Sequence, residues 1–421
     1  MRLKIFIAVL FALGFISSCA PGLSRRTEAF EKDHHGFTGM ILLDAASGKE
    51  LFQYNAHKTF TPASNTKILS LYAAIHFLDD SIHTFRYRNT EDSLIVSATG
   101  DPGLLNPEFS SSAALEFLRN SRDSIYYQTA NWKQAAYGAG WSWDDFTYAF
   151  SPQISAIPVY GNNLSFSQSN KGVIIYPGIF QDSIIYSDVD RLKKLEGRNQ
   201  FMVPQNIQKQ DTFRVPFETS EELSIQILEQ QTGRSITMIP PGQKASKTIK
   251  SIASDSLYKQ MMHQSDNLIA EQLLVMISEK LTDTMSTRIA IDQTRKMLLN
   301  DLPDEFQWAD GSGLSRYNMN SPANLANILQ RIWNKKTETW ITAIFPTAGK
   351  DGTLADILTD ENAFVFAKSG TLKNNYSLSG YLKTNSDRLL IFSIMNSNHL
   401  GSAEQIKAEI SKLLIHIRNR Y

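Results

Sequence analysis

Cysteine is almost missing: the 421-residue chain has one, Cys19. A single cysteine excludes an internal disulfide framework, a cysteine-based zinc site and a CxxC redox pair. An excess of either charge is missing as well, with 42 Lys and Arg against 42 Asp and Glu. Without surplus cations to neutralise phosphates, no nucleic-acid partner is expected. Long apolar runs are scarce. The run Ile5 to Phe15 is too short to span a bilayer as a helix. Internal repeats and low-complexity tracts are absent too.

What remains is an ordinary globular composition, 42% hydrophobic and 20% charged. At roughly 150 residues per domain, two or three domains are expected. At the start, Arg2 and Lys4 precede the apolar run, the pattern of an export signal. Ile16-Ser17-Ser18-Cys19 resembles the bacterial lipobox, whose cysteine is lipidated and becomes the first mature residue. A plain secretory signal is the alternative, and both imply export. Residues 1–19 are thus expected to be a lipoprotein signal peptide and 20–36 a polar tether to a membrane.

The segment Phe37 to Asn55 is two β-rich runs joined by Asp44-Ala45-Ala46-Ser47-Gly48, a hairpin signal. Ile68, Leu71, Tyr72 and Ile75 recur at helical spacing, placing Ser64 in the first helical turn behind Pro62. A second hairpin ends in a Gly-Asp-Pro-Gly turn at 100–103. Asp255 to Leu281 is helical on both sides of Ser265-Asp266-Asn267. Three antiparallel strands follow near the end, around "FVFAKSGTL", "SLSGYLKT" and "RLLIFSIMNS". A capping box of Ser402 and Gln405 opens a final helix with Ile406, Ile410, Leu413, Leu414 and Ile417 on one stripe.

Ser64 and Lys67 form a Ser-x-x-Lys, a pattern that a chain this long carries about twice by chance. Residues three apart share a helix face, so the amine reaches the hydroxyl. A desolvated lysine, or one beside another cation, loses its proton readily and serves as a base. A helix N-terminus offers free N–H groups to a developing oxyanion. Two further stretches give this pair weight: Ser265-Asp266-Asn267 between helices, and Lys368-Ser369-Gly370-Thr371 in a strand. These three elements, in this order, are those of serine β-lactamases and penicillin-binding proteins. The eight histidines fall outside all three, which argues against a Ser-His-Asp triad.

The chain therefore resembles the low-molecular-mass penicillin-binding proteins with D-alanyl-D-alanine carboxypeptidase and endopeptidase activity. The stretch between Ser64 and Ser265 is long enough for a whole extra domain, which marks the subgroup with a large insert. "PASNTK", "ATGDPGLL", "GWSWDDFTYAFSP", "DGSGLSRYN", "GKDGTL" and "SLSGY" support the likeness, and Ser369 stands where the family usually has threonine.

The resemblance implies an α/β (α+β) fold: a β-lactamase/transpeptidase-like domain with an antiparallel sheet flanked by helices. It would comprise 37–86 and 240–421, interrupted at 87–239 by a mixed, β-containing insert with a small β domain nested near 165–212. It implies Ser64 as nucleophile, Lys67 as base and Ser265 as proton relay. Asn267 would hold the substrate amide, Lys368, Ser369 and Thr371 the terminal carboxylate. Gly370 would let substrate lie along the strand, with the Ser64 and Thr371 N–H groups as oxyanion hole. Asp145 would recognise a free stem-peptide amine, or else be a capping or surface aspartate. Arg316 would lie near substrate, or else form a structural ion pair. Trp141 and Trp143 are expected to pack inside. Peptidoglycan stem peptides and β-lactams are the implied partners, with no metal or cofactor. The rivals are a serine β-lactamase and a non-catalytic cell-wall-binding lipoprotein.

Overall fold

The computed structural model describes residues 20–169, 172–205, 212–359 and 363–421. The signal segment and Cys19 lie outside the described residues. A five-stranded antiparallel sheet carries the site. Its order is Val365–Leu372, Asn375–Lys383, Leu389–Ser397, Phe37–Asp44, Glu50–Tyr54. Both faces are covered, and the side-chain period of two sorts each strand's residues between them. Along Phe37–Asp44, Met40 and Leu42 join one apolar cluster while Ile41 and Leu43 join another. The first cluster takes in the final helix, Ala403–Arg420, through the expected stripe. That helix starts at a complete capping box, with Ser402 Oγ accepting from Gln405 N and Gln405 Oε1 accepting from Ser402 N. The second cluster takes in the helices Lys67–Phe77, Asn267–Thr282 and Pro322–Lys335.

Residues 20–36 are not a free tether. Ala20–His34 is a helix, and its Leu23 and Phe30 are buried beside Ile406 and Ile410. Most of the charges that made the segment read as polar lie on its outer side, while Glu31 accepts from Thr38 N and the Tyr54 hydroxyl of the sheet.

A second five-stranded sheet has the order Ile236–Ile239, Ser124–Gln128, Ser93–Ala98, Ser81–Asn89, Lys247–Ala253. Ser81–Asn89 straddles the expected boundary at 86, and Lys247–Ala253, expected in the catalytic part, pairs with it. Backbone pairing partners cannot be divided between domains, so this layer begins earlier and ends later than expected. Two three-stranded sheets lie within 163–216. Among the described residues no helix is long and apolar enough to cross a membrane.

Candidate active site

Ser64 lies in a 3-10 turn, Ala63–Thr66, rather than in the α-helix, which begins at Lys67. Ala63 adopts a positive φ of 49°, costly for a residue with a Cβ. The turn is wedged between two glycines. A Cβ on Gly313 (φ 86°) would stand 1.9 Å from Ala63 O. A Cβ on Gly370 would stand 2.7 Å from Pro62 O and 2.9 Å from Ser64 N. Gly370 is thus required for the strand to approach the serine turn. This is a demand for glycine separate from the expected room for substrate. Asn65, fully buried, ties the two together by donating to Lys368 O (2.9 Å) and Ser377 O (3.3 Å).

Lys67 is fully buried and its Nζ has three neighbours: Ser64 Oγ at 3.1 Å, Asn267 Oδ1 at 2.6 Å and Ser312 O at 2.6 Å. Two of these are obligate acceptors. A neutral amine keeps two N–H groups for them and turns its lone pair toward the serine hydroxyl. Burial pushes the ammonium down to about 8, against the opposing pull of Asp310, Glu271 and Asp266. Asn267 is oriented by its own bond to Phe150 O (2.7 Å). Ser312 is held by Glu271, which accepts from Gly311 N (3.0 Å) and Ser312 N (2.8 Å). Burial, then the Asp310 charge, pushes the Glu271 carboxyl up. Asp310 in turn accepts from Gly313 N, Ser315 N, Asn318 Nδ2 and Trp141 Nε1.

The loop before the helix Asn267–Thr282 places Ser265 at a positive φ of 56°. Asp266 caps that helix, accepting from Ile269 N at 2.9 Å. Lys368 is fully buried and donates to Ser369 O (2.7 Å). Burial, then Lys67, holds its ammonium well below the usual range. Ser369 Oγ pairs with Thr353 Oγ1 at 2.7 Å. Thr371 is exposed. The strand Val365–Leu372 is the outermost of its sheet. Residues 346–348 cover its beginning, through Ala348 N to Val365 O and Ala367 N to Pro346 O. From Lys368 onward that edge makes no further backbone–backbone bond among the described residues, which leaves it open to an extended peptide.

Asp145 and Arg316 lie within electrostatic reach of each other. Burial and Asp144 raise the Asp145 carboxyl, and the Arg316 guanidinium lowers it. Arg316 is exposed and donates to Lys373 O at 3.4 Å, just past the motif strand. Trp141 packs as expected. Trp143 does not: it is 80% exposed, on the same turn as Asp145. Asn65, Glu271 and Phe150 carry site geometry that the motifs did not announce. Glu271 had one available signal, its place four residues after Asn267 on the same helix face. Among the described residues no cluster of His, Cys, Asp and Glu could hold a metal ion.

A helix-backed antiparallel sheet with a Ser–Lys pair against its open edge strand defines a serine acyl-transfer enzyme of the β-lactamase and transpeptidase type. The chain belongs to the D-Ala-D-Ala carboxypeptidase 3 (S13) family, whose model matches residues 26–200 and 225–417. It is 24% identical over 435 residues to a D-alanyl-D-alanine carboxypeptidase of Haemophilus influenzae, covering 91% of this chain and 90% of that one. It is 23% identical to a D-alanyl-D-alanine carboxypeptidase of an Actinomadura species, covering 87% of this chain and 78% of that one. The crystal structure of penicillin binding protein 4 from Haemophilus influenzae has the same fold, with a TM-score of 0.73 at 21% identity, over 93% of this chain and 98% of that one.

Proposed function

We propose that the protein hydrolyses the D-Ala-D-Ala end of peptidoglycan stem peptides with Ser64 as nucleophile and Lys67 as general base. The observation that carries this reading is the position of Lys67 Nζ, 3.1 Å from Ser64 Oγ and beside two obligate acceptors, so that the amine, once neutral, turns its lone pair to the hydroxyl. Ser64 Oγ attacks the penultimate D-Ala carbonyl, and its proton passes to Lys67 Nζ. The N–H groups of Ser64 and Thr371 hold the oxyanion. The C–N bond then breaks, the leaving amine takes a proton through Ser265, and the acyl group stays on Ser64. Water cleaves this ester, giving its proton to Lys67 and restoring the serine. Lys368, buried against Ser369 O, takes up a proton as the terminal carboxylate arrives and pairs with it, and Ser369 and Thr371 donate to it. A β-lactam reacts by the same first step, so it labels the enzyme.

Asp145 takes the ammonium of a diaminopimelate side chain at the Lys373 end of the edge, with Arg316 beside it. The protein acts outside the cytoplasm, held to a membrane by a lipid on Cys19. The second sheet and the two small sheets form the insert that presents Asp145 and Phe150 to the site.

The test is intact mass after incubation with benzylpenicillin. One adduct per chain is expected, absent in Ser64→Ala. An adduct on Ser64→Ala would remove the assignment of the nucleophile. Rapid steady turnover of nitrocefin would instead favour the β-lactamase reading.

A further inference from the structure

The helices Ala20–His34 and Ala403–Arg420 pack antiparallel. At one end Leu400 N donates to His34 O (3.1 Å), and a Cβ on Gly401 would stand 2.7 Å from His34 Nδ1. The final helix starts two residues after that glycine. At the other end lies His416, whose imidazolium is lowered by burial and then by the charges of Arg26 and Arg420. Charge is sorted along both helices. In the first, Glu28, Glu31 and Asp33 all follow Arg25 and Arg26. In the last, Glu404 and Glu409 precede Arg418 and Arg420. Antiparallel packing therefore sets the two arginine ends side by side, with the carboxylates toward the opposite end.

Arg25, Arg26 and Arg420 are exposed at that end. Their neighbours there are engaged within the fold: Arg418 lies over the Phe364 ring at 4.3 Å, and Arg388 donates to Tyr421 O at 3.4 Å. The first helix begins at Ala20, the residue after Cys19. At the rise of an α-helix, Arg25 and Arg26 are about 10 Å along the axis from residue 19, about one Debye length in 0.1 M salt. A lipid on Cys19 therefore holds a docked helix rather than a loose tether. The bilayer that takes the lipid meets the arginine end of the helix pair.

We propose that Arg25, Arg26 and Arg420 form a docking face for anionic phospholipid headgroups, so that the enzyme rests on the bilayer in one orientation. The inference rests on the reading of Cys19 as lipidated and adds the protein surface that meets the membrane. A guanidinium suits this partner because its fork of N–H groups pairs with two phosphate oxygens at once. The lipid holds the protein, and the arginines orient it. Ser64 and Lys67 belong to the layer on the opposite face of the five-stranded sheet, so the contact leaves the site uncovered.

The experiment uses the mature chain, residues 19–421, with Cys19→Ser, which takes away the lipid and leaves the face intact. Co-sedimentation at low ionic strength compares vesicles of phosphatidylcholine with vesicles of phosphatidylcholine and phosphatidylglycerol in equal parts. An arginine near an anionic surface contributes about fivefold, so the three should raise partition about a hundredfold on the anionic vesicles. The preference should vanish near about 1 M salt, where the Debye length falls to about 3 Å. The triple variant Arg25→Gln, Arg26→Gln, Arg420→Gln should lose nearly all of it. Benzylpenicillin acylation at an unaltered rate shows that this variant is folded. The same loss of charge at Lys133, Arg288 and Lys296, exposed cations elsewhere on the molecule, should cost less than about twofold. Equal partition on the two kinds of vesicle would overturn the proposal, and so would equal losses in the two triple variants. A wild-type chain recovered from membranes whose mass shows no lipid would strike the Cys19 reading instead, leaving the vesicle preference as measured.

Discussion

Replacing Asn267 by aspartate should shift the pH dependence of acylation without displacing the base. Asn267 Oδ1 is 2.6 Å from Lys67 Nζ, so the substitution sets a carboxylate against an amine that burial holds at about 8. The base works only when neutral. In the wild type about one tenth of it is neutral at pH 7, and acylation should gain about tenfold per unit below the midpoint, then level off. An opposite charge at this distance raises a lysine by about one to three units. A rise of about two units would leave about one thousandth neutral at pH 7, so acylation there should fall about a hundredfold and recover above about pH 9. The substitution also removes the donor to Phe150 O, which lowers the rate at every pH. The midpoint is therefore the decisive quantity, and the amplitude is not. Second-order rate constants with a fluorescent penicillin, measured from about pH 6 to about pH 11.5, give it directly. Asn267→Ala, which takes away an acceptor that favours the ammonium, should lower the rate and move the midpoint down. A wild-type rate that stays flat across neutral pH would refute the reasoning, and so would an Asn267→Asp midpoint that stays in place.

Gly370→Ala should slow acylation at least about a hundredfold and destabilise the fold by about 1–3 kcal/mol, because the added carbon meets Pro62 O and Ser64 N; normal acylation with an unchanged melting temperature would contradict this. Asp145→Asn should cost about tenfold in kcat/KM on diaminopimelate peptides, at the low end for a charge-assisted contact because Asp145 is only half-buried. It should leave penicillin acylation unaltered, and an equal loss with an amine-acetylated peptide would make the residue structural. Cys19→Ser should release the protein from membranes in cell fractionation while the purified enzyme stays active; retention on the membrane would contradict lipidation.

The sequence by itself determined the family and its class of reaction. Ser64-x-x-Lys67, Ser265-Asp266-Asn267 and Lys368-Ser369-Gly370-Thr371 are local patterns, each legible because a few adjacent residues need one backbone conformation to present their side chains. The hairpin at 37–54, the three closing strands and the capped final helix were legible for the same reason: β-rich apolar runs and capping residues are written along a short stretch. Tertiary structure decided what depends on contacts between distant segments. Only the fold shows that Gly370 serves the serine turn, since the colliding atoms belong to Pro62 and Ser64. Only the fold docks the helix Ala20–His34, whose charges outnumber the two apolar residues that bury it. The boundary near 86 shifted because strand pairing joins Ser81–Asn89 to Lys247–Ala253 across more than a hundred intervening residues. The state of Lys67 was likewise beyond the sequence. A lysine's charge is set by its burial and by Asn267, Ser312, Glu271 and Asp310, and packing brings these to one point from separate parts of the chain.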